Sequence, residues 1–268
     1  MIRVTVAGIA GRMGSILAKL VVNTTDMELV GATEDVGHAL IGENVSDLIG
    51  RRGLGVRVTD RIQDALLEAD VLLDFTAPKS SMAALEICVK NRVAAVVGTT
   101  GFDPAQEKRI EKYAETIPIV SAPNMSLGVN LLARLVKQAA KALGPAYDIE
   151  MVEVHHRQKA DSPSGTALML AHTIADARAL ELEKALVWGR HGKTGARPDD
   201  QIGVMSLRAG DVVGEHTIMF CGPGERLELI HRAHSRETFA QGALRATRWV
   251  VGKSPGLYSM MDVLGLND

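Results

Sequence analysis

Short apolar runs with the character of strands alternate with segments of helical period along the first half of the chain. Ile2-Arg-Val-Thr-Val-Ala7 reads as a strand, and Ser15 to Val22 carries apolar residues at helical spacing. Met27 to Thr33 is a second strand; Asp70 to Phe75, Ala94 to Val97 and Ile117 to Ser121 are further runs of buried-strand length. Helices are predicted near Ser80 to Lys90 and from Pro104 to Glu115. This order predicts an open parallel sheet covered by helices. The stretch from Gly37 to Gly55 has no clear period and is expected to be a mobile loop.

Beyond it, Leu127 to Leu143 is helical and stops at Gly144-Pro145. Asp148 to Val154 alternates polar and apolar residues, the period of a half-buried strand. Thr166 to Ala175 reads as an apolar-faced helix, with Ser162 or Ser164 placed to cap it and Pro163 suited to its first turn. Three strand-like runs follow, Gly203 to Arg208, Val213 to Cys221 and Arg226 to Ala233, joined by turn sequences that predict a meander. A helix from Thr238 to Gly252 and a turn with a short tail end the chain, and this last segment is expected to pack back onto the first domain.

Two positions carry candidate chemistry. Gly8-Ile-Ala-Gly11-Arg-Met-Gly14 joins the first strand to the first helix, where backbone N–H groups and the helix dipole suit a pyrophosphate. Its spacing, G-x-x-G-x-x-G, differs from the commoner G-x-G-x-x-G. Glu34, at the end of the second strand, stands where an acidic residue binds ribose hydroxyls. With Asp35 beside it, the pair would repel a 2′-phosphate, so NADH is expected to be preferred over NADPH, with Arg12 partly offsetting the repulsion. Gly98-Thr99-Thr100 and Ala122-Pro123-Asn124-Met125 fall at strand ends, as candidates for contacts on the nicotinamide side.

The second position is His155-His156-Arg157-Gln158-Lys159, ahead of Ser164-Gly165-Thr166. Titratable and basic groups there precede a helix start whose N–H groups, at Gly165 and Thr166, suit a carboxylate or phosphate. The stretch reads as a site that holds a small, multiply anionic substrate and moves protons on it. A Lys–His pair in which each cation lowers the pKa of the other would supply an acid near neutrality.

The fold expected is therefore α/β: a Rossmann-type dinucleotide-binding domain (residues 1–126 plus 236–268) and a second α+β substrate-binding and oligomerisation domain on a mixed sheet (127–235). Composition narrows the partners. A net charge of −2 and 3% aromatic residues supply neither a basic field nor stacking surfaces, which argues against nucleic acid. No apolar run approaches a membrane span, and the start reads as a strand rather than a signal peptide. Cys88 and Cys221 stand in apolar contexts, as expected of core thiols in a reducing cytoplasm. His231 and His234 have an odd spacing that puts them on opposite strand faces, and no residue cluster has zinc spacing, so no metal is expected.

Taken together, Gly8 to Gly14, Asp74-Phe-Thr76, Gly98 to Phe102, Asn124, His155 to Lys159 and Asp161-Ser-Pro-Ser-Gly-Thr-Ala167 resemble the bacterial 4-hydroxy-tetrahydrodipicolinate reductase (dihydrodipicolinate reductase) family of the lysine and diaminopimelate pathway. Arg208 to His216 and Gly256 to Asp262 extend the likeness over essentially the whole chain. The resemblance implies hydride transfer from NADH or NADPH to a cyclic imine bearing two carboxylates. His155 would donate or accept a proton and Lys159 would donate the proton that completes the reduction. His156, Ser164, Gly165, Thr166 and Thr100 would contact the substrate. Gly8, Ile9, Ala10, Gly11, Arg12, Met13, Glu34, Asp35, Gly98, Thr99, Thr100, Ala122, Pro123, Asn124 and Met125 would contact the cofactor. A cytoplasmic homotetramer, associated through second-domain sheets, is also implied. Asp35 departs from members that carry an arginine after the ribose-binding acid. Two rival readings are another two-domain NAD(P)-dependent dehydrogenase of amino-acid metabolism and a non-enzymatic nucleotide-binding redox sensor.

Overall fold

The structure, a computed structural model, describes residues 1–51 and 53–267. In chain order the elements are β1 (Ile2–Ala7), α1 (Arg12–Val22), β2 (Met27–Thr33), α2 (Val45–Ile49), β3 (Val58–Thr59), α3 (Ile62–Ala65), β4 (Val71–Asp74), α4 (Pro78–Asn91), β5 (Ala94–Val97), α5 (Pro104–Ala114), β6 (Pro118–Ser121) and α6 (Leu127–Leu143). There follow β7 (Asp148–His155), α7 (Gly165–Arg178), α8 (Leu182–Ala185), β8 (Leu186–Val187), β9 (Ile202–Arg208), β10 (Gly214–Gly222), β11 (Glu225–Ala233), α9 (Glu237–Val250), β12 (Gly256–Tyr258) and α10 (Met260–Leu264). They form two compact units, residues 1–127 with 237–268, and residues 128–236.

The first unit is built on a seven-stranded sheet in the order β12-β6-β5-β4-β1-β2-β3, parallel throughout. Strands β4 and β5 are buried along their whole length, as apolar runs without alternation require when both sheet faces are covered. One face packs Val4, Val6, Val71 and Val96 against α1 and α9, through Leu17, Val21, Ala243 and Leu244. The other packs Leu72, Ala95, Val97 and Ile119 against α4 and α5, through Leu85, Cys88 and Ile110. Helix α5 starts where the sequence says it should: Asp103 and Gln106 form a reciprocal capping box around Pro104.

Two expectations for this unit are corrected. Gly37 to Gly55 is not a featureless loop: the Asn44 side chain caps α2, Gly50 ends it at φ 73°, and Asn44 bridges to Arg57. Helix α2 has five residues, too few for a period to register in sequence. Arg52 of this segment, and Asp268 at the end of the returning one, lie outside the described residues. The expected tail is also more than a tail. Gly256–Tyr258 joins the sheet beside β6, and Ser259 with Asp262 forms a capping box that opens α10.

In the second unit, five strands run in the order β11-β10-β7-β9-β8. The sheet is mixed: β7 is antiparallel to β10 and parallel to β9. The expected meander is thus corrected, because β7 lies between β9 and β10 and only β10 and β11 form a hairpin. Parallel pairing of β7 with β9 needs a crossover, and α7, α8 and β8 supply it. Burial along β7 alternates residue by residue, so Met151, Glu153 and His155 share the covered face.

Gly242 shows how closely the returning helix α9 packs: a Cβ there would lie 1.7 Å from the Met125 carbonyl oxygen. Gly242→Ala is expected to cost about 3 kcal/mol through overpacking, measured as a lowered midpoint in urea unfolding.

Candidate functional site

In the parallel sheet, the chain leaves β1 toward β2 on one side and reaches β4 on the other, so a crevice opens beyond the carboxyl ends of β1 and β4. A cleft of about 340 Å³ lies there, lined by Gly8, Gly11, Glu34, Asp35, Asp60, Asp74, Phe75 and Thr76 among others. The glycines are needed sterically. Gly8 adopts φ 66°, and a Cβ on Gly14 would sit 2.0 Å from the Gly8 carbonyl oxygen. Gly11 is the N-cap of α1, and no side chain among the described residues caps that helix. Its first N–H groups, at Arg12, Met13 and Gly14, therefore have no intrahelical acceptor and suit a pyrophosphate.

Other N–H groups of the turn are committed. Ile9 donates to the Thr33 carbonyl and its side chain is buried in the core. Gly11 donates to the Gly8 carbonyl. Ala10 donates to the Glu34 carboxylate at 2.5 Å, which fixes that acid against the turn. Asp35 and Arg12 are exposed. These features fit an adenine dinucleotide, with the pyrophosphate at the start of α1 and the ribose at Glu34.

At the end of β4, Asp74 is fully buried. Its Oδ1 accepts from the Thr76 backbone N–H at 3.0 Å and hydroxyl at 2.6 Å, and from the Thr99 hydroxyl at 3.4 Å. Ser81 donates to Thr99 at 2.8 Å. Burial among neutral donors drives the Asp74 carboxyl above the usual carboxylate range, against the opposing effect of the hydrogen bonds from Thr76, Ser81 and Thr99. Thr99 is thus turned inward, while Thr100 is exposed. Gly98 packs on the Phe75 ring, where a Cβ would lie 2.1 Å away. Asn124 accepts from the Ser126 N–H at 2.9 Å and shapes the loop after β6. Ala122 and Met125 are buried and Pro123 is exposed.

The basic cluster belongs to the second unit. His155 is the last residue of β7, and His156 to Lys159 form the turn after it. Ser164 caps α7 by accepting from the Ala167 N–H at 3.1 Å. Pro163 precedes this cap rather than occupying the first helical turn, which settles the choice between Ser162 and Ser164. A Cβ on Gly165 would meet nothing within 4 Å, so the helix start is open to an approaching group. Lys159 is bound to Asp161 at 2.8 Å.

Beneath these residues lies a buried polar network that sequence reasoning did not single out. Glu153, with no exposed surface, receives two hydrogen bonds from the Arg208 guanidinium at 2.9 and 3.0 Å and one from the Ser164 N–H at 3.2 Å. It also meets His155 Nδ1. Burial alone would push Glu153 up, yet bonds from Arg208, Ser206 and His155 hold it below the usual range. Burial lowers His155, Glu153 opposes, and Lys159 and Arg208 add to the lowering, so the net direction is downward. The expected influence of Lys159 on His155 is therefore present but second to desolvation. His216 is lowered to about 4, mainly by burial, and its Nε2 lies 3.1 Å from the Ser164 hydroxyl. Glu153 had one signal in the sequence: it sits two residues before His155, on the same strand face. Arg208 and His216 bracket a stretch that carries the family likeness, but nothing in the sequence assigned them to this network, since only sheet pairing brings them here. Among the described residues no group of three or more His, Cys, Asp or Glu is arranged to hold a metal ion, and no helix is long and apolar enough to cross a membrane.

Comparison with known proteins bears on both units. The family model described as dihydrodipicolinate reductase, N-terminus matches residues 2–125, and that described as dihydrodipicolinate reductase, C-terminus matches residues 128–264. A 4-hydroxy-tetrahydrodipicolinate reductase of Anaeromyxobacter sp. (strain Fw109-5) is 52% identical over 99% of this chain and 98% of its own length. That of Thiobacillus denitrificans (strain ATCC 25259 / T1) is 50% identical over 99% of both chains. The solved structure of dipicolinate-bound dihydrodipicolinate reductase from Paenisporosarcina sp. TG-14 superimposes with a TM-score of 0.78 at 30% identity, covering 98% of each chain.

The buried Asp74 carboxyl makes stability depend on pH. Because its folded-state pKa is raised, its stabilising contribution is complete below the ordinary carboxylate range and is lost as pH rises through the folded value, at about 1.4 kcal/mol per unit of displacement. Asp74→Asn is expected to flatten the fall in melting temperature between about pH 4 and pH 7, as read by thermal unfolding across that range.

Proposed function

Because the chain belongs to the dihydrodipicolinate reductase family, we propose that it reduces the cyclic imine derived from 4-hydroxy-tetrahydrodipicolinate to tetrahydrodipicolinate, in lysine and diaminopimelate biosynthesis. The observation that carries the reading is the continuous set of bonds joining Lys159, Asp161, Arg208, Glu153, His155 and Ser164 at the open start of α7. One small region thus offers a cation, a titratable imidazole and the N–H groups of a helix start to a dicarboxylate.

The glycine turn from Gly8 to Gly14 and Glu34 would hold a nicotinamide cofactor, which would supply the hydride. The N–H groups of Gly165 and Thr166 hold a substrate carboxylate, with His156 and Ser164 beside them. Hydride addition to a conjugated imine leaves an enamine that must be protonated at carbon. Lys159 donates that proton, and His155, uncharged near neutrality, exchanges protons with the reacting system. The ammonium of Lys159 also favours the dicarboxylate before reduction and the charge that develops afterwards. Gly98, Thr99, Thr100 and Ala122 to Met125 form the nicotinamide side of the cleft.

Asp35, exposed next to the anchored Glu34, supports NADH as the preferred donor, since a 2′-phosphate would meet two carboxylates. A homotetramer is supported by the outer face of the second sheet. There Met205, Leu207 and Ile230 are exposed beside the half-buried Val152 and Val154. Two free thiols, Cys88 and Cys221, suit a cytoplasmic setting.

The test is parallel consumption of NADH and NADPH, with substrate generated in place from pyruvate and aspartate semialdehyde by the preceding synthase. Substrate-dependent oxidation is expected; cofactor binding with no oxidation would overturn the reading. Lys159→Ala is expected to lower kcat by about 10²- to 10⁴-fold while NADH binding, followed by fluorescence, is retained. In the same assay Asp35→Arg is expected to raise the NADPH-to-NADH ratio of kcat/KM by about 10-fold or more, the worth of one favourable charge contact.

A further inference from the structure

We infer that Glu153 is a positioning residue for this reduction: its single buried carboxylate fixes the ring of His155 and the start of helix α7 in one bonded unit. The inference deepens the proposed function and rests on it for the word reduction, although its physical content does not depend on turnover.

Sheet register creates the unit. Glu153 lies opposite Ser206 of β9 on one side and His216 of β10 on the other, and His155 lies opposite Arg208. All project to the face that α7 covers. An ionised carboxylate only accepts hydrogen bonds and offers about four sites. Here two Arg208 N–H groups, the Ser164 N–H and the Ser206 hydroxyl supply four donors, and the ring of His155 shares Oε2 with Arg208. The His155 nitrogen that meets Glu153 must therefore be a donor. That makes Nδ1 the protonated nitrogen and leaves Nε2 as the one that gains and loses the working proton. Space is kept at Nε2 by Gly214, where a Cβ would come within 3.0 Å of it.

The same carboxylate reaches the helix start. Ser164 gives its N–H to Glu153 and accepts from Ala167, so its hydroxyl proton is left for His216 Nε2. His216, lowered to about 4, is uncharged and accepts it. Arg208 extends the unit toward Lys159 by donating to the Asp161 carbonyl at 2.6 Å, while Asp161 holds the ammonium. The charged and titratable groups facing Glu153 are thus Arg208, His155 and His216, with Lys159 and Asp161 on the adjoining turn. Of these, Arg208 compensates the buried charge, and the others take their geometry from it.

Imidazole nitrogen NMR on the wild-type chain tests the inference without turnover: neutral His155 is expected as the Nδ1–H tautomer, and a dominant Nε2–H tautomer overturns it. Glu153→Gln then removes the charge with little change of shape. A carboxylate favours imidazolium, so the His155 titration midpoint is expected to move to lower pH. In parallel, kcat should fall by about 100-fold or more while KM for NADH changes less than threefold, on the precedent of acid-to-amide changes beside catalytic histidines. Glu153→Asp is expected to recover part of the midpoint shift. A folded Glu153→Gln chain whose His155 midpoint is unmoved overturns the inference, whatever its kcat. If that variant fails to fold, the wild-type tautomer decides. If wild-type protein binds NADH but does not oxidise it with this substrate, the functional reading fails while the tautomer and midpoint still decide the role of Glu153.

Discussion

A strand that is parallel to both neighbours and covered on both faces has nothing to offer a ligand along its length: its side chains are core and its backbone groups are paired. Recognition chemistry is forced to the carboxyl ends, where the strand stops and the next helix has not yet closed its own hydrogen bonds. The first unit obeys this constraint throughout. The glycine turn follows β1, Glu34 follows β2, Asp74 with Phe75 and Thr76 closes β4, Gly98 to Thr100 follow β5, and Ala122 to Met125 follow β6. Even the closeness of Gly14 to the Gly8 carbonyl, and of Gly242 to Met125, serves this edge, because each glycine lets a helix approach the loop that the ligand would meet.

The second unit solves a different problem, that of placing charge where water is scarce. Its mixed sheet is half-covered, so alternate residues of β7 enter a space under α7. Two buried carboxylates in the protein show how the surroundings decide the state of an acid. Asp74 is met by neutral hydroxyls and a backbone N–H, and burial raises it. Glu153 is buried as completely but is met by a guanidinium, and remains a carboxylate. The first holds the turn after β4 through Thr76 and Thr99, the second anchors the imidazole of His155.

The legibility of the sequence followed the range of the interactions concerned. Helix α6 was readable to its last residue because its period runs over seventeen positions and Gly144-Pro145 ends it. The glycine turn and the His155 to Thr166 stretch could be proposed as sites because their residues are near neighbours in the chain, and Glu34 because it follows the turn at the offset expected of a ribose-binding acid. The meander was misjudged because turn sequences report that strands are consecutive and say nothing about which strand intervenes. Helix α2, within Gly37 to Gly55, and the strand Gly256–Tyr258 were missed because each is shorter than the window in which periodicity becomes visible. Arg208 and His216 stood in a family-like stretch without a role, being respectively 55 and 52 residues from the groups they bind.

By itself, then, the sequence determined the longer strands and helices, where phosphate and carboxylate groups were to be expected, and which family the chain resembles; the first two rest on patterns among near neighbours. Tertiary structure alone decided the pairing of β7 between β9 and β10, and with it the environment of Glu153 and His155. The reason is physical: a pKa and a tautomer are set by whatever lies within a few ångströms in space, and in this protein those neighbours come from strands that only sheet register brings together.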